Sequence, residues 1–269
     1  DQGKVRVGGR LERLAGRPVR AGELIEVADL AGPLEVAAEL TAAHMRYVDP
    51  HLIAVDKPAG LGMHAVEKGD THHLVAAVQR WCRDTGTPLE PGGPFLASRL
   101  DKETSGLVVL GLTGEAGRRL TDQFASRSVL KRYRAIVQGD PPAMGKIEGP
   151  IDALGQGRFG IRPGGSPART LFRVCGRSSL GVDLEVTPET GRSHQIRVHL
   201  ASIGCPIVGD LLYGGHRGTG ISRCLLHSER LELVHPISGE RLELTAPLPF
   251  DMDPSTCGAA ASPFADRVP

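Results

Sequence analysis

Residues 98–110 read SRLDKETSGLVVL. The second half continues through Gly111 and Leu112 as GLVVLGL, a run with no polar side chain. A run of that length is far short of the roughly 20 residues of a membrane span and reads as a strand buried on both faces of a sheet. The first half sets a carboxylate, Asp101, between Arg99 and Lys102 just ahead of that strand. A carboxylate beside a guanidinium stays ionised, and where it is also desolvated it can serve as nucleophile or base. Taken alone, the pattern would be a surface salt bridge in most proteins.

Working outward, HLIAV at 51–55 is a second strand, stopped by Lys57-Pro58. Residues 72–83 place Leu74, Val75, Val78 and Trp81 at helical spacing, and a Gly- and Pro-rich loop over 86–94 leads back to Asp101. Downstream, residues 114–126 are predicted helical, whereas 130–138 (LKRYRAIVQ), 169–175 and VDLEV from 182 are predicted strands. In ETGRSHQIRVHLASIG, Ile196, Val198, Leu200 and Ile203 mark a helix closed by Gly204 and Pro206. LELVHP and RLELTAP form two late strands around Ile237-Ser238-Gly239. Strands and helices mix irregularly, which predicts an α+β fold with a largely antiparallel sheet rather than a doubly wound one.

The ends read differently. Residues 1–30 form a small β-rich appendage, with strands in GKVRVGGR and LIEV and a turn around Gly22. Residues 31–44, opened by Ala31-Gly32-Pro33, are a linker, the main domain is expected over 45–250, and the Ala-, Ser- and Pro-rich tail 251–269 is expected to be disordered.

Composition narrows the class. Hydrophobic residues make up 40% and charged residues 23%, the balance of an ordinary globular protein. With no membrane-length apolar run and no basic-then-apolar leader at the first residue, the expected location is the cytoplasm. The five cysteines are scattered without a CxxC, which argues for buried free thiols rather than disulfides or zinc. Net charge is only +1, but Arg118, Arg119, Arg127, Lys131, Arg132 and Arg134 face a single acid, Asp122, and five arginines between 158 and 177 face none. Such clusters form either a phosphate-facing stripe or a solvated face.

Several chemistries fail on context. GQGRFG at 155–160 has the GxGxxG spacing but no helix after it, so a hairpin or loop replaces a dinucleotide site. No phosphate-cradling GxxxxGK[ST] occurs. His72 with His73, and His194 with His199, do not share a helix face, so no metal is expected. A hydrolase built on Ser98, His194 and Asp101 lacks the GxSxG elbow. What remains is the crowding of Arg192, His194, Gln195, Arg197 and His199 in one short segment, groups able to bond phosphates or base edges.

Six stretches, in order, resemble the signature blocks of RluA-type pseudouridine synthases: DKPAGLGMHA (56–65), SRLDKETSGLVVL (98–110), KRYRAIVQG (131–139), PARTLFRV (167–174), ETGRSHQIRVHLASIGCPIVGDLLYGG (189–215) and LLHSERLELVHPISGERLELTAPLP (225–249). The resemblance implies a mixed, bent central sheet with flanking helices and a basic cleft, working without metal or organic cofactor. It implies Asp101 as nucleophile, Arg99 as the group that helps displace the target nucleotide, Tyr133 as the aromatic face against the base, and Arg197 as the partner of the catalytic carboxylate. The chemistry agrees: breaking N1–C1′ and joining C5 to C1′ requires the uridine to leave its stack, and an aromatic ring can then hold it. Asp101 either attacks covalently or removes a ribose proton. His194 and Gln195 read as supporting or packing groups.

This chain has Ser98 where the resembled family usually has His. The competing reading is a non-catalytic RNA-binding or ribosome-assembly protein on the same fold. GKVRVGGR and VRAGELIEV resemble the C-terminal part of an S4-type RNA-binding domain. Such a segment points to ribosomal RNA as substrate ahead of transfer RNA, with the enzyme expected to act as a monomer.

Overall fold

The computed structural model describes residues 5–7, 10–12, 22, 25–27, 40–65, 70–216 and 221–252. The chain divides between Val36 and Ala37 into two units. In the first, β1 (Val5–Val7), β2 (Arg10–Glu12) and β3 (Ile25–Val27) form an antiparallel sheet in the order β2-β1-β3. The two expected strands are both present there, with β2 in addition. The remainder of the S4-like segment, most of the linker and the tail beyond Met252 lie outside the described residues.

In the second unit a 3-10 turn, Ala42–His44, leads into β4 (Met45–Val48) and β5 (Leu52–Lys57). Then come α1 (Leu74–Thr85), β6 (Phe95–Leu96), β7 (Ser105–Gly111), α2 (Gly114–Ala125) and β8 (Leu130–Val137). They are followed by β9 (Met144–Glu148), β10 (Ile151–Gly155), β11 (Arg158–Ile161), β12 (Arg169–Ser178) and β13 (Gly181–Pro188). The last elements are α3 (Gln195–Ser202), β14 (Leu226–Val234) and β15 (Arg241–Thr245). Eight strands form one path, β4-β5-β7-β14-β8-β13-β12-β9, with β6 added to β7 and β15 to β14. Every pairing is antiparallel except β7 with β14. The fold is therefore α+β with a mixed, largely antiparallel sheet.

The GLVVLGL run forms most of β7, an interior strand third in that path. All seven residues of β7 are buried, as a strand flanked on both edges and covered on both faces requires. Its start pairs in parallel with β14, His227 opposite Ser105 and Ser228 opposite Gly106. Gly106 lies at φ 104°, and a Cβ there would run into the Ser228 backbone. Only glycine lets the two strands approach this closely.

This junction separates two apolar cores. One collects Leu52, Leu107, Val109, Leu120 and Leu231, and the other Val137, Phe172, Leu184, Ile196, Leu200 and Leu226. α3 is buried along Gln195, Ile196, Arg197, Val198, His199 and Leu200, so it has no solvent face to produce a clean amphipathic period. Ile203, expected on the packed face, is 39% exposed beyond the helix end. The buried face of α1 is Leu74, Ala77, Val78 and Cys82, rotated from the one expected through Val75 and Trp81. GQGRFG is the tight hairpin between β10 and β11, turning at Gln156 and Gly157, both at positive φ. Cys82, Cys205 and Cys224 are buried free thiols, Cys175 is partly exposed, and Cys257 is outside the described residues. Among the described residues no helix is long and apolar enough to cross a membrane.

Candidate active site

Asp101 sits in the tight loop that enters β7, where its carbonyl accepts the Thr104 N–H at 3.1 Å. The loop forms one wall of an open cleft of about 730 Å³ lying where the two cores meet. Arg99, Asp101, Tyr133 and Arg197, the four residues singled out from sequence, all line it. Leu107 and Leu231 contribute from one core, Leu226 and Ile196 from the other.

At its floor one guanidinium serves two carboxylates. Arg197 donates to Asp101 Oδ2 from Nη1 at 3.0 Å and grips Asp210 with Nε and Nη2, both at 2.8 Å. Its plane lies over the Tyr213 ring, 5.0 Å from the centroid. Burial works against the Arg197 charge, but the Asp210 carboxylate outweighs it and holds the pKa above the ordinary arginine value. Asp101 Oδ1 accepts no hydrogen bond among the described residues; His194 Nε2 lies 3.8 Å from it.

Strand alternation sets the opposite wall. On β8, Lys131 and Tyr133 face the cleft, whereas Arg132 and Arg134 pair with Glu185 and Asp183 of β13. Burial pushes the Tyr133 hydroxyl up to about 12, with the nearby Asp101 charge adding to it, so the ring meets a ligand as a neutral phenol. Arg99 is exposed on the rim.

A family model described as RNA pseudouridylate synthase matches residues 51–202, more than half of the chain and the span that carries Asp101, Tyr133 and Arg197. The chain belongs to the RNA pseudouridylate synthase family. The synthase is 41% identical over 258 residues to an uncharacterized RNA pseudouridine synthase from Chloroflexus aurantiacus, covering 94% of this chain and 80% of that protein. It is 36% identical over 250 residues to the ribosomal large subunit pseudouridine synthase D of Xanthomonas campestris pv. campestris, covering 87% of this chain and 75% of that one. Its fold is similar to that of human RNA Pseudouridylate Synthase Domain Containing 4, with a TM-score of 0.63 and 26% identity over 80% of this chain and 92% of that chain. The enzyme is thus an isomerase acting on RNA.

In the synthase, three buried polar side chains, Lys57, Gln195 and His199, hold the cleft in shape. Lys57 is fully buried and donates to the carbonyls of Pro58, Leu61 and Lys102 at 3.0, 2.9 and 3.1 Å. It thereby ties the end of β5 to the Asp101 loop. Burial pushes its pKa down to about 7 against the opposing charges of Glu103 and Asp101. Gln195 receives the Thr190 hydroxyl and the Arg192 N–H on its oxygen, and donates to Arg169 O and Thr170 Oγ1. His199 bonds Thr170 Oγ1 and Gly149 O. These two side chains dock α3 on β12, the supporting work expected of Gln195.

The phosphate-facing stripe is corrected in part. Arg132, Arg134, Arg169, Arg173 and Arg177 are engaged by acids on neighbouring strands or loops. Alternate residues of a strand share a face, so basic residues clustered in sequence split between that pairing and the cleft. Ser98 lines the cleft without a hydrogen bond to His194 among the described residues, so the three groups of a hydrolase triad are not linked. Asp210 and Tyr213 were not singled out from sequence. The only signal was an acid embedded in the otherwise apolar VGDLLYGG.

Proposed function

We propose that the synthase isomerises uridines of large-subunit ribosomal RNA with Asp101 as nucleophile. In this reading Arg197 supplies the counter-charge, Tyr133 the face on which the uracil rests, and Arg99 the group that helps displace the nucleotide from its stack. The observation that carries it is the asymmetry of the Asp101 carboxylate. Oδ2 is tied to Arg197 at 3.0 Å, and Oδ1 has no hydrogen bond among the described residues. The reaction breaks N1–C1′, turns the uracil, joins C5 to C1′ and releases the C5 hydrogen. Covalent attack and removal of a ribose proton both call on that free oxygen.

The surroundings suit the chemistry. The base must be extruded to react, and a cleft of about 730 Å³ falls among pockets of roughly 300–1,000 Å³ that enclose small ligands. Tyr133, neutral and next to Asp101, offers a stacking surface that holds the detached uracil while it turns. Ribosomal RNA is favoured over transfer RNA by the relatives named as ribosomal large subunit pseudouridine synthase D, which match 76–93% of this chain.

The test is tritium release from transcripts labelled at uridine C5, using large-subunit ribosomal RNA and transfer RNA in parallel. Wild-type protein is expected to release tritium from the ribosomal transcript, and Asp101→Asn to release none while still binding it. Turnover by Asp101→Asn would refute the nucleophile, and release from transfer RNA alone would refute the substrate.

A further inference from the structure

His194 lines the cleft and has no role in the reaction as proposed, yet its backbone and ring are both held. Its backbone lies in the left-handed region, φ 55° and ψ 18°, at the residue that caps α3, a conformation that costs a non-glycine residue about 1 kcal/mol or more. The imidazole is wedged edge-on against Phe159 and Tyr213, with ring centroids 5.1 and 5.7 Å away. Nδ1 lies 2.7 Å from the Tyr213 hydroxyl, and Nε2 lies 3.8 Å from Asp101 Oδ1.

The hydrogen bonds favour one position for the imidazole proton. The Tyr213 oxygen already accepts the Phe159 backbone N–H at 3.0 Å. Its own O–H has one acceptor among the described residues, Nδ1 of His194. Burial holds the Tyr213 pKa above its ordinary value, so the hydroxyl keeps that proton. Burial likewise holds His194 below its ordinary value, although Asp101 opposes it. A neutral imidazole that accepts at Nδ1 carries its hydrogen on Nε2. That N–H faces Oδ1 of Asp101, the oxygen that Arg197 leaves free.

We infer that Tyr213 and His194 are a positioning pair for Asp101: Tyr213 fixes the imidazole tautomer, and His194 Nε2–H closes on Oδ1 when RNA fills the cleft. The inference rests on Asp101 being the nucleophile. At 3.8 Å the contact is too long for a hydrogen bond. Hydrogen bonds in empty active sites are commonly long and shorten with substrate in place. With one donor on each oxygen the carboxylate has a single orientation, and the lone pair that reacts points one way. An interaction of this kind acts on turnover rather than on RNA binding.

The experiment compares wild-type protein with His194→Ala, His194→Gln, Tyr213→Phe and Asp101→Asn in the tritium-release assay, reading kcat, KM and RNA affinity separately. His194→Ala is expected to lower kcat about 10- to 100-fold, as for loss of a hydrogen bond to a charged group, with KM and affinity unchanged. His194→Gln, whose amide N–H₂ reaches the Nε2 position, is expected to recover most of that loss. Tyr213→Phe keeps the ring over Arg197 but lacks the hydroxyl, and is expected to lower kcat about 3- to 10-fold. If Gln turns over no faster than Ala, or the losses fall in KM, the pair merely packs the wall and the inference is wrong. Should His194→Ala fail to fold, Tyr213→Phe with wild-type kcat overturns it equally. Turnover by Asp101→Asn would instead sink the nucleophile assignment, whatever the His194 variants do.

Discussion

Arg197 divides one guanidinium between Asp101 and Asp210, and that division makes two separable predictions. Asp210 has no exposed side-chain surface and is held by the bidentate grip of Arg197. Removing the cation leaves a buried carboxylate uncompensated, which typically costs 3–5 kcal/mol. Arg197→Met is therefore expected to lower unfolding stability by about 3–5 kcal/mol, read from urea denaturation. Arg197→Lys keeps the charge but cannot form the fork. It should remain folded and still lose at least about tenfold in kcat, because a point charge cannot serve both acids with the same geometry. Equal turnover by Arg197→Lys would show that charge alone suffices. From sequence, Arg197 and Asp101 were legible because each lies in a dense, ordered block of matched residues. Asp210 lies in the same block as Arg197 and was still not legible, because it falls past the end of α3 and meets Arg197 only where the chain turns back, which no periodic spacing encodes.

Between strands, the point of greatest constraint is where β7 meets β14 in parallel. Gly106 is expected to tolerate no side chain: Gly106→Ala must part the strands against the Ser228 backbone and adopt a disfavoured φ. A loss of about 2–4 kcal/mol is expected in urea unfolding, together with lost turnover because Asp101 lies just ahead of the displaced strand. A melting temperature equal to wild type would contradict the close approach. One residue along, His227 is buried and bonded through Nδ1 to Ser105 Oγ at 2.9 Å. Burial pushes its pKa down to about 4 from an ordinary 6.5, although Asp56 opposes the shift. Between those values the unfolded chain binds the extra proton and the folded one does not, so stability falls as pH drops from 6.5 towards 4. His227→Gln should flatten that part of the urea-midpoint profile, and an unchanged slope would place the acid sensitivity elsewhere. At this scale most elements were legible, since buried strands and α2 follow from local pattern alone. The face of α1 was misread because Cys82 packs as a hydrophobe where Trp81 does not. The parallel junction was invisible, since its partners are more than 120 residues apart in sequence.

Across the whole molecule, 32 basic residues against 31 acidic ones leave a net charge of +1, which is little attraction for a polyanion. Affinity must then come from where cations are left over. Much of the basic content of β8 and β12 is neutralised by acids on the adjoining strands and loops. In the cleft Arg99, Lys102, Lys131 and Arg192 have no ion pair among the described residues. Each phosphate neutralised on single-stranded RNA contributes a slope of about −0.7 to log affinity against log salt, so four such contacts predict a slope near −3. Arg99→Ala and Arg192→Ala should each reduce it by about 0.7 and weaken binding without regard to sequence. Arg177→Ala is the control, because Arg177 lies outside the cleft and is paired with Asp140. It should leave the slope unchanged in filter-binding titrations over a range of salt. If Arg177→Ala cost as much as Arg99→Ala, RNA would be held by the general surface, and the cleft would have no electrostatic claim to be the docking site. If only the cleft variants changed the slope, phosphates of the RNA would lie beside Asp101, which is the register that an extruded uridine needs.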